Sequence, residues 1–184
     1  MRTFIAVDTP ENIKRKMTEV QSELKRSEAD VKWETSNKFH ITIKFLGEGK
    51  ETMVDDIIGK IQDVSSKFSP FALQYETVGC FPNTKNPRVI WIGCRDMTQN
   101  LSKIKIMLDE ELKQFGFEAE DRAFHPHITL GRVKSQSGIK NLIPIIENLT
   151  FKSEVIECHQ ILIMKSVLKP SGSEYSILQS VTLK

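Results

Sequence analysis

Apolar residues recur along this chain with two different periods, which predict helices in some segments and strands in others. Apolar positions three or four residues apart are typical of amphipathic helices. Helices are therefore predicted from a start at Asp8-Thr9-Pro10, with the proline in the first turn, to before Asp30, over residues 51–68, from about Thr98 to Phe115, and near Asn141 to Glu147. Gly116 follows the third of these and is a plausible C-terminal cap.

Alternation of apolar and polar residues, or short apolar runs between turn residues, predicts the strands. They are expected at Arg2–Val7, 31–33, 39–47, 71–78, 88–94, 127–133, 161–164 and 175–183, with a turn at 170–173 between the last two. Helices interleave with strands while several strands are joined by hairpin-like connections. This order predicts an α+β fold with mostly antiparallel sheets rather than a doubly wound parallel sheet.

The chain contains an internal repeat of one strand pattern. The tetrapeptides His40-Ile41-Thr42-Ile43 and His127-Ile128-Thr129-Leu130 lie 87 residues apart (127 minus 40), and each precedes a helix-forming segment. A duplicated half-domain would produce this arrangement. With 184 residues and no linker or low-complexity stretch, we expect a single domain, residues 1–184, built from two facing lobes.

Strand geometry gives each repeat one polar face. Alternate side chains of a strand share a face, so each histidine lies beside the threonine two residues later, about 7 Å along the strand. Simple alternation also places Lys44 on the His40 face, and Ile41, Ile43 and Phe45 on the other. Each lobe is thus predicted to present an imidazole next to a hydroxyl.

Bulk composition restricts the partners and the compartment. A net charge of +2 and a pI near 8.4 permit phosphate binding but do not indicate a large nucleic-acid footprint. No apolar run approaches the roughly 18 residues of a membrane span, and the N-terminus lacks a signal-peptide pattern. We expect a cytoplasmic monomer with no membrane contact.

The cysteines and histidines do not form a recognisable metal pattern. The three cysteines, Cys80, Cys94 and Cys158, are irregularly spaced, so we expect them to be reduced and buried. His125-Pro126-His127 could supply two metal ligands, but no H-E-x-x-H or Asp-rich pattern accompanies it. We therefore predict no metal and no other cofactor.

Two histidines that face each other across a cleft suit displacement at phosphorus. Imidazoles with an ordinary pKa near 6.5 can divide into one neutral base and one protonated acid on opposite sides of a phosphate. Thr42 and Thr129 could donate hydrogen bonds to the non-bridging oxygens, and Arg132 or Lys44 could offset the developing charge. One His-x-Thr alone is too short to indicate catalysis, but its duplication favours this interpretation.

The same residues resemble a known family over the whole chain. FHITIKFLGE and PHITLGRV, the N-terminal MRTFIAVD, the Phe81-Pro82 loop and the C-terminal segment 168–172 are similar to the two-histidine phosphoesterases. Within that superfamily the resemblance is to the RNA 2′,3′-cyclic phosphodiesterases, also called RNA 2′,5′-ligases. Each short pattern is weak alone, but their order and spacing agree from end to end.

The resemblance implies both a fold and a reaction. The implied fold is the bilobal two-histidine phosphoesterase fold, with two pseudo-symmetric lobes, helices outside and the active cleft between them. The implied reaction opens a 2′,3′-cyclic phosphate to a 2′-phosphomonoester, with His40 as proton donor to the leaving 3′ oxygen and His127 as proton acceptor from water. Ligation through a 2′,5′ bond is the same chemistry in reverse, with a 5′-hydroxyl in place of water. The implied partners are RNA with cyclic phosphate ends, or cyclic nucleotides.

Three substrate contacts remain open at this level. Arg132 matches the arginine that follows the second histidine pattern in the family, yet it lies five residues from His127 and needs a bulge or strand end to share its face. Lys44 could equally be a solvated lysine at a sheet margin. Among Trp33, Phe45, Phe81 and Trp91, which could stack a base, Phe81 is preferred because its loop context disfavours complete burial.

Two other functions stay open. One is a two-histidine phosphodiesterase acting on a small cyclic phosphate, for instance a derivative of ADP-ribose. The other is a non-catalytic protein that binds RNA ends, which the intact histidines argue against. His125 and His159 are assigned to structure or surface.

Overall fold

The computed structural model describes residues 2–49, 51–170 and 172–184, and within them it forms nine strands and four α-helices. The strands are β1 (Arg2–Asp8), β2 (Val31–Trp33), β3 (His40–Glu48), β4 (Phe71–Phe81), β5 (Val89–Arg95), β6 (His127–Val133), β7 (Lys152–Cys158), β8 (Gln160–Lys169) and β9 (Gly172–Thr182). The helices are α1 (Glu11–Lys25), α2 (Val54–Ser65), α3 (Asn100–Leu112) and α4 (Ile139–Asn148). The predicted α+β class is confirmed.

The strands form two sheets. One has four strands in the order β3-β1-β8-β9, and the other has five in the order β2-β6-β5-β4-β7. All strand pairs among the described residues are antiparallel. The first histidine pattern lies on β3 of the four-stranded sheet, and the second lies on β6 of the five-stranded sheet. The prediction of two lobes of antiparallel sheet is therefore confirmed.

The helices connect the two sheets. Helix α1 follows β1 of the four-stranded sheet, yet the amide of its Gln21 donates to the carbonyl of Leu130 on β6 at 2.9 Å. Helix α3 follows β5 of the five-stranded sheet and packs against β3 and against α2. Residues from both sheets and all four helices share one continuous apolar core. Helices α1 and α3 thus each follow a strand of one sheet and contact a strand of the other, which packs the two lobes together.

Helix periodicity predicted the buried stripes well. Ile13, Met17 and Leu24 of α1 are fully buried, and Val20 is nearly so. Short 3₁₀ turns extend two helices, at Glu51–Met53 before α2 and at Lys113–Phe115 after α3. Gly116 then adopts a left-handed conformation with a φ of 85°, as a C-terminal cap requires.

Three strand predictions need correction. Strand β7 was not predicted, because it is an edge strand whose Val155 is exposed while Ser153 is buried, which hides the apolar alternation. Strand β9 begins at Gly172, three residues before its expected start, and β8 extends to Lys169. Of the turn predicted at 170–173, Ser171 lies outside the described residues.

Both strands that carry a histidine pattern contain a bulge at the same place. On β3, Ala6 pairs with Thr42 and Ile5 pairs with Lys44, so Ile43 is the extra residue. On β6, Trp91 pairs with Thr129 and Ile90 pairs with Gly131, so Leu130 is the extra residue. An extra residue reverses the alternation beyond it.

No α-helix among residues 2–49, 51–170 and 172–184 is long and apolar enough to cross a membrane.

Candidate active site

A cavity of about 490 Å³ lies between the two sheets and brings the two repeats together. His40 and Thr42 line it from β3, and His127 and Thr129 line it from β6. Strands β3 and β6 approach each other directly across this cleft. All four side chains are half-buried, so each is positioned by packing and still open to a ligand.

The bulges decide which residues join the histidines in the cleft. Beyond Leu130 the alternation of β6 reverses, and Arg132 lines the cavity with His127 and Thr129. This bulge is the feature that the sequence argument required for Arg132. Beyond Ile43 the same reversal turns Phe45 into the cavity, where its side chain is 55% exposed.

The prediction that Lys44 shares the His40 face is therefore wrong. The bulge directs Lys44 to the opposite face of β3, where only 1% of its surface is exposed. Its Nζ donates to Asp109 Oδ1 at 2.6 Å and to the Glu118 carbonyl at 2.8 Å. The same bulge explains why Phe45, expected on the far face, lies in the cleft.

A carboxylate at the cleft wall holds two cations. Glu34, which precedes the first repeat, has its Oε1 3.8 Å from Arg132 Nε and its Oε2 3.2 Å from Lys38 Nζ. Arg132 keeps an exposed guanidinium, because 56% of its side chain is accessible. Glu34, Lys38 and Arg132 all line the cavity, so this wall carries two cations and one carboxylate on the same cavity as His127 and Thr129.

His127 is oriented by a backbone carbonyl just before β6. Its Nδ1 lies 2.6 Å from the carbonyl oxygen of His125. A carbonyl accepts only, so Nδ1 carries the proton and Nε2 is left with its lone pair in the neutral ring. Burial lowers the pKa of His127, and the carbonyl contact opposes part of that effect.

His40 lies in more apolar surroundings. Its ring stacks on Phe4 with centroids 5.0 Å apart, and the edge of Tyr175 approaches at 5.3 Å. Phe4 belongs to a separate apolar cluster on this face of the four-stranded sheet. Burial lowers the pKa of His40 to about 4, with Asp8 raising it and Lys14 lowering it further. Both histidines are therefore neutral near pH 7 in the absence of ligand.

Phe81 also lines the cleft, but it is the last residue of β4 rather than part of the predicted loop. Its ring meets the His127 ring edge-on with centroids 5.1 Å apart, and it contacts Trp91 at 5.0 Å. Trp33, another aromatic candidate, instead packs against the main core. His159 is exposed beside Glu157, and His125 is exposed too, in agreement with their surface assignment, although His125 also lines the cavity.

Several cleft residues were missed by sequence reasoning. They are Glu34, Lys38, Glu120, Arg122, Phe124 and Tyr175. The buried Phe4, on which the His40 ring stacks, was missed as well. The charged ones lie in irregular segments near β2 and before β6, where periodicity carries no signal. Phe4 and Tyr175 looked like ordinary strand residues, and only sheet pairing places them beside His40.

The metal-binding residue types are dispersed. No group of three or more His, Cys, Asp or Glu side chains in the described ranges could hold a metal ion. Cys80 and Cys158 are buried and Cys94 is half-buried, and all three are free thiols. Burial raises the pKa of the Cys158 thiol to about 11, so it stays protonated at neutral pH.

Comparison with known proteins divides the chain into two halves, as the repeated histidine pattern does. The family model for LigT-like phosphoesterases matches the chain twice, at residues 7–91 and 92–175. The chain belongs to the LigT-like phosphoesterase family. Each match contains one of the two histidine patterns, which supports the duplication inferred from their spacing.

Relatives of similar length carry one functional name. The chain is 34% identical over 182 residues to a protein of Methanocaldococcus jannaschii named RNA 2′,3′-cyclic phosphodiesterase, covering 97% of this chain and 99% of the relative. A Thermotoga maritima protein of the same name is 32% identical over 178 residues, covering 97% and 93%. The resemblance to the two-histidine phosphoesterases, and among them to the RNA 2′,3′-cyclic phosphodiesterases, is thereby confirmed.

Solved structures agree in fold. A Thermus thermophilus protein superposes with a TM-score of 0.82 at 24% identity, covering 100% of this chain and 98% of that one. Escherichia coli LigT complexed with 3′-AMP superposes with a TM-score of 0.75 at 21% identity, covering 99% and 97%. These likenesses confirm the bilobal fold of the family.

Proposed function

We propose that this protein hydrolyses RNA 2′,3′-cyclic phosphate ends to 2′-phosphomonoesters by acid–base catalysis with two histidines. The observation that carries the proposal is the placement of His40-Thr42 and His127-Thr129 on opposite sides of one cleft. The names of the full-length relatives support the RNA substrate. We propose further that residues 1–184 act as one two-lobed unit, as a monomer without a metal. A cytoplasmic location stays a prediction.

His127 fits the role of proton acceptor. Its Nδ1 proton is held by the His125 carbonyl, so the lone pair on Nε2 is free to take a proton from water. The lowered pKa keeps this nitrogen unprotonated at neutral pH. Because this base is already deprotonated and oriented, little conformational entropy is lost in positioning it when substrate binds.

His40 fits the role of proton donor to the 3′ oxygen, once substrate has bound. In the free protein its pKa of about 4 leaves it neutral at pH 7. A phosphodiester anion in contact with the ring favours the imidazolium and raises this pKa. The acid would thus be charged mainly in the complex, where the leaving oxygen needs its proton.

The remaining polar groups suit the phosphate. Neither the Thr42 nor the Thr129 hydroxyl has a hydrogen-bond partner among the described residues, so each can donate to a non-bridging oxygen. Arg132, held beside the cleft by Glu34, can offset charge that develops in the transition state. The water oxygen bonds to phosphorus as its proton passes to His127, the P–O3′ bond breaks, and O3′ takes a proton from His40, which leaves a 2′-phosphate.

The test is a product assay. Purified protein is incubated, with a chelator present, with each 2′,3′-cyclic mononucleotide and with a short cyclic-ended RNA, and 2′- and 3′-phosphates are resolved. The expected product is the 2′-phosphate in both cases. Cleavage of neither substrate, with or without added metal, would contradict the proposal and direct the search to another cyclic phosphate or to RNA-end binding alone.

The pH dependence adds a second measurement. One histidine must be neutral and the other charged, so the rate should be bell-shaped. Since both pKa values are lowered in the free protein, the maximum of kcat/KM is expected below pH 6.5. The maximum of kcat should lie at higher pH, because bound phosphate raises the pKa of His40. A flat profile from pH 5 to 9 would exclude the mechanism.

A further inference from the structure

Three cations gather at the rim of the cleft, where the start of strand β9 approaches strand β2. Lys32 on β2 pairs directly with Arg132 on β6, so the two side chains share the face of the sheet that forms the cleft. A Cβ added at Gly172 would lie 3.5 Å from Lys32 Nζ and 3.6 Å from Lys38 Nζ. The two ammonium groups therefore converge on one point, beside the first residue of β9.

This arrangement is unfavourable unless an anion is bound. Like charges directly opposite each other on neighbouring strands repel. Within the ranges that the structure describes, Glu34 is the one carboxylate that pairs with any of the three cations, and it holds Arg132 at 3.8 Å and Lys38 at 3.2 Å. Lys32 is exposed and forms no ion pair in those ranges. The rim thus carries more positive charge than its own residues neutralise, and it suits a phosphate.

The rim lies on the His40 side of the cleft. The Tyr175 ring contacts the His40 ring with centroids 5.3 Å apart, and Lys38 Nζ lies 5.7 Å from the centre of the same Tyr175 ring. Lys38 is positioned by these contacts, since only 16% of its side chain is exposed. Lys32 does not line the cavity, so it lies at the outer edge of the rim. One aromatic ring therefore separates His40 from the positive rim.

The proposed reaction determines the side on which an RNA strand leaves the cleft. O3′ departs next to His40, and O3′ belongs to the ribose of the terminal nucleotide. The terminal nucleoside must therefore lie on the His40 side of the reacting phosphate, and the strand continues from its 5′ oxygen. The next phosphate of the strand, one nucleotide away, is thereby directed towards Lys38 and Lys32.

We propose that Lys32 and Lys38 form a subsite for the phosphate on the 5′ side of the terminal nucleotide, an inference that rests on the proposed function. Lys38 donates to this phosphate from the cavity wall and Lys32 from the outer edge, while Arg132 stays with the reacting phosphate. The second phosphate supplies the negative charge that the rim lacks. Contacts of this kind position a strand without reading its bases, so the preference is for an RNA end of any sequence over an isolated cyclic nucleoside.

The test compares two substrates that differ only in that phosphate. They are a nucleoside 2′,3′-cyclic phosphate with a 5′-hydroxyl and the same compound with a 5′-phosphate, and the ratio of kcat/KM for the second to kcat/KM for the first is recorded. Loss of folded protein lowers both values alike and leaves the ratio unchanged. The ratio should be about ten in the unsubstituted protein, fall severalfold in Lys32→Gln and in Lys38→Gln, and approach one in the double variant.

Lys152→Gln is the matched control. Lys152 lies on β7, at the opposite edge of the five-stranded sheet from β2, and its pair with Glu76 is long, at 3.9 Å. Its substitution removes the same charge from the protein and should leave the ratio unchanged. Lys38→Arg keeps the charge and should retain most of the ratio. With a cyclic-ended dinucleotide, kcat/KM should fall less steeply with salt in the double lysine variant than in the unsubstituted protein.

Three results would overturn the subsite. The first is a ratio near one in the unsubstituted protein, which leaves the proposed hydrolysis intact. The second is a ratio that neither Lys32→Gln nor Lys38→Gln changes. The third is an equal fall of the ratio in Lys152→Gln, which would assign the effect to the overall charge of the protein. Hydrolysis of neither substrate would instead reject the proposed function itself.

Discussion

Strands β3 and β6 begin with the same pattern and bulge at the same residue, but their histidines have different neighbours. His40 rests on the ring of Phe4, and burial lowers its pKa to about 4. His127 donates through Nδ1 to the His125 carbonyl, which fixes its tautomer. The duplicated backbone thus supplies two equivalent positions, and the surroundings supply the difference that acid and base roles require.

The residues that follow the bulge differ between β3 and β6 because the two strands have different neighbours in their sheets. Strand β3 lies at the edge of its sheet, so Lys44 can extend to Asp109 on α3. Strand β6 has β2 as its neighbour in the sheet, and a Cβ at Gly131 would lie 2.6 Å from Val31 Cγ1. There is therefore no room for a side chain at residue 131. One further residue on, the cleft receives Phe45 from β3 and Arg132 from β6. One side of the cleft therefore offers an apolar ring and the other a cation.

The largest expected effect comes from removing either histidine. His40→Asn and His127→Asn should each lower kcat for a 2′,3′-cyclic nucleotide by about 10² to 10⁴-fold, the usual contribution of a positioned acid or base. The comparison control is His159→Asn, because His159 is exposed and contacts only Glu157. Retention of full activity by either cleft variant would end the two-histidine mechanism.

Lys44→Met should affect stability rather than chemistry. It leaves Asp109 with only Lys105 and removes the donor to the Glu118 carbonyl, so unfolding free energy should fall by about 2 to 4 kcal/mol. Urea denaturation measures this effect. Lys60→Met, which removes a half-exposed pair with Glu111 at 3.1 Å, should cost at most about 1 kcal/mol. A Lys44→Met protein of unchanged stability but without activity would contradict this placement and indicate that Lys44 acts in the cleft.

Arg132→Gln and Phe45→Leu probe the two equivalent positions beyond the bulges. Loss of a charged hydrogen bond to phosphate should lower kcat/KM about 10- to 100-fold in Arg132→Gln, whatever the base. Phe45→Leu should act mainly on KM and by less than about tenfold. Arg26→Gln, at an exposed helix end, is the control and should have no effect. Equal losses of kcat/KM in both variants would contradict the assignment of Arg132 to the phosphate and Phe45 to the nucleoside.

The smallest effect concerns stability against pH. His40 has a pKa near 6.5 when unfolded and about 4 when folded, so acid favours the unfolded chain, which binds the proton more readily. Stability is therefore complete above pH 6.5 and is lost as pH falls towards 4, by about 1 kcal/mol between pH 7 and pH 5.5. Thermal unfolding at these two pH values should show a smaller difference in His40→Asn. An unchanged pH dependence in that variant would assign the effect to other groups.

Local pattern was enough for most elements and for the two histidines. The stripe of Ile13, Met17 and Leu24 in α1 needs only the helical period, and all three are buried. Strand β7 was missed because an edge strand with one exposed face does not need regular apolar alternation. The repeat was visible because duplication leaves identical letters at identical positions.

The site beyond the histidines depended on register, which local sequence does not specify. Arg132 could be placed in the cleft only on condition of a bulge, and Lys44 was placed there wrongly because its own strand also bulges. Phe4 and Tyr175 surround His40 through pairing between strands that are far apart in sequence. Pairing of this kind is decided by the sum of core packing across both sheets.

The sequence by itself determined the α+β class, the duplication, the candidate pair of histidines with their threonines, and the family. These depend on residue identity and on periods of two or 3.6, which short segments carry. Only the tertiary structure decided the two bulges, the exclusion of Lys44 from the cleft and the entry of Phe45. An extra residue in one strand changes which face every later side chain takes, and its position becomes visible only when the partner strand is present.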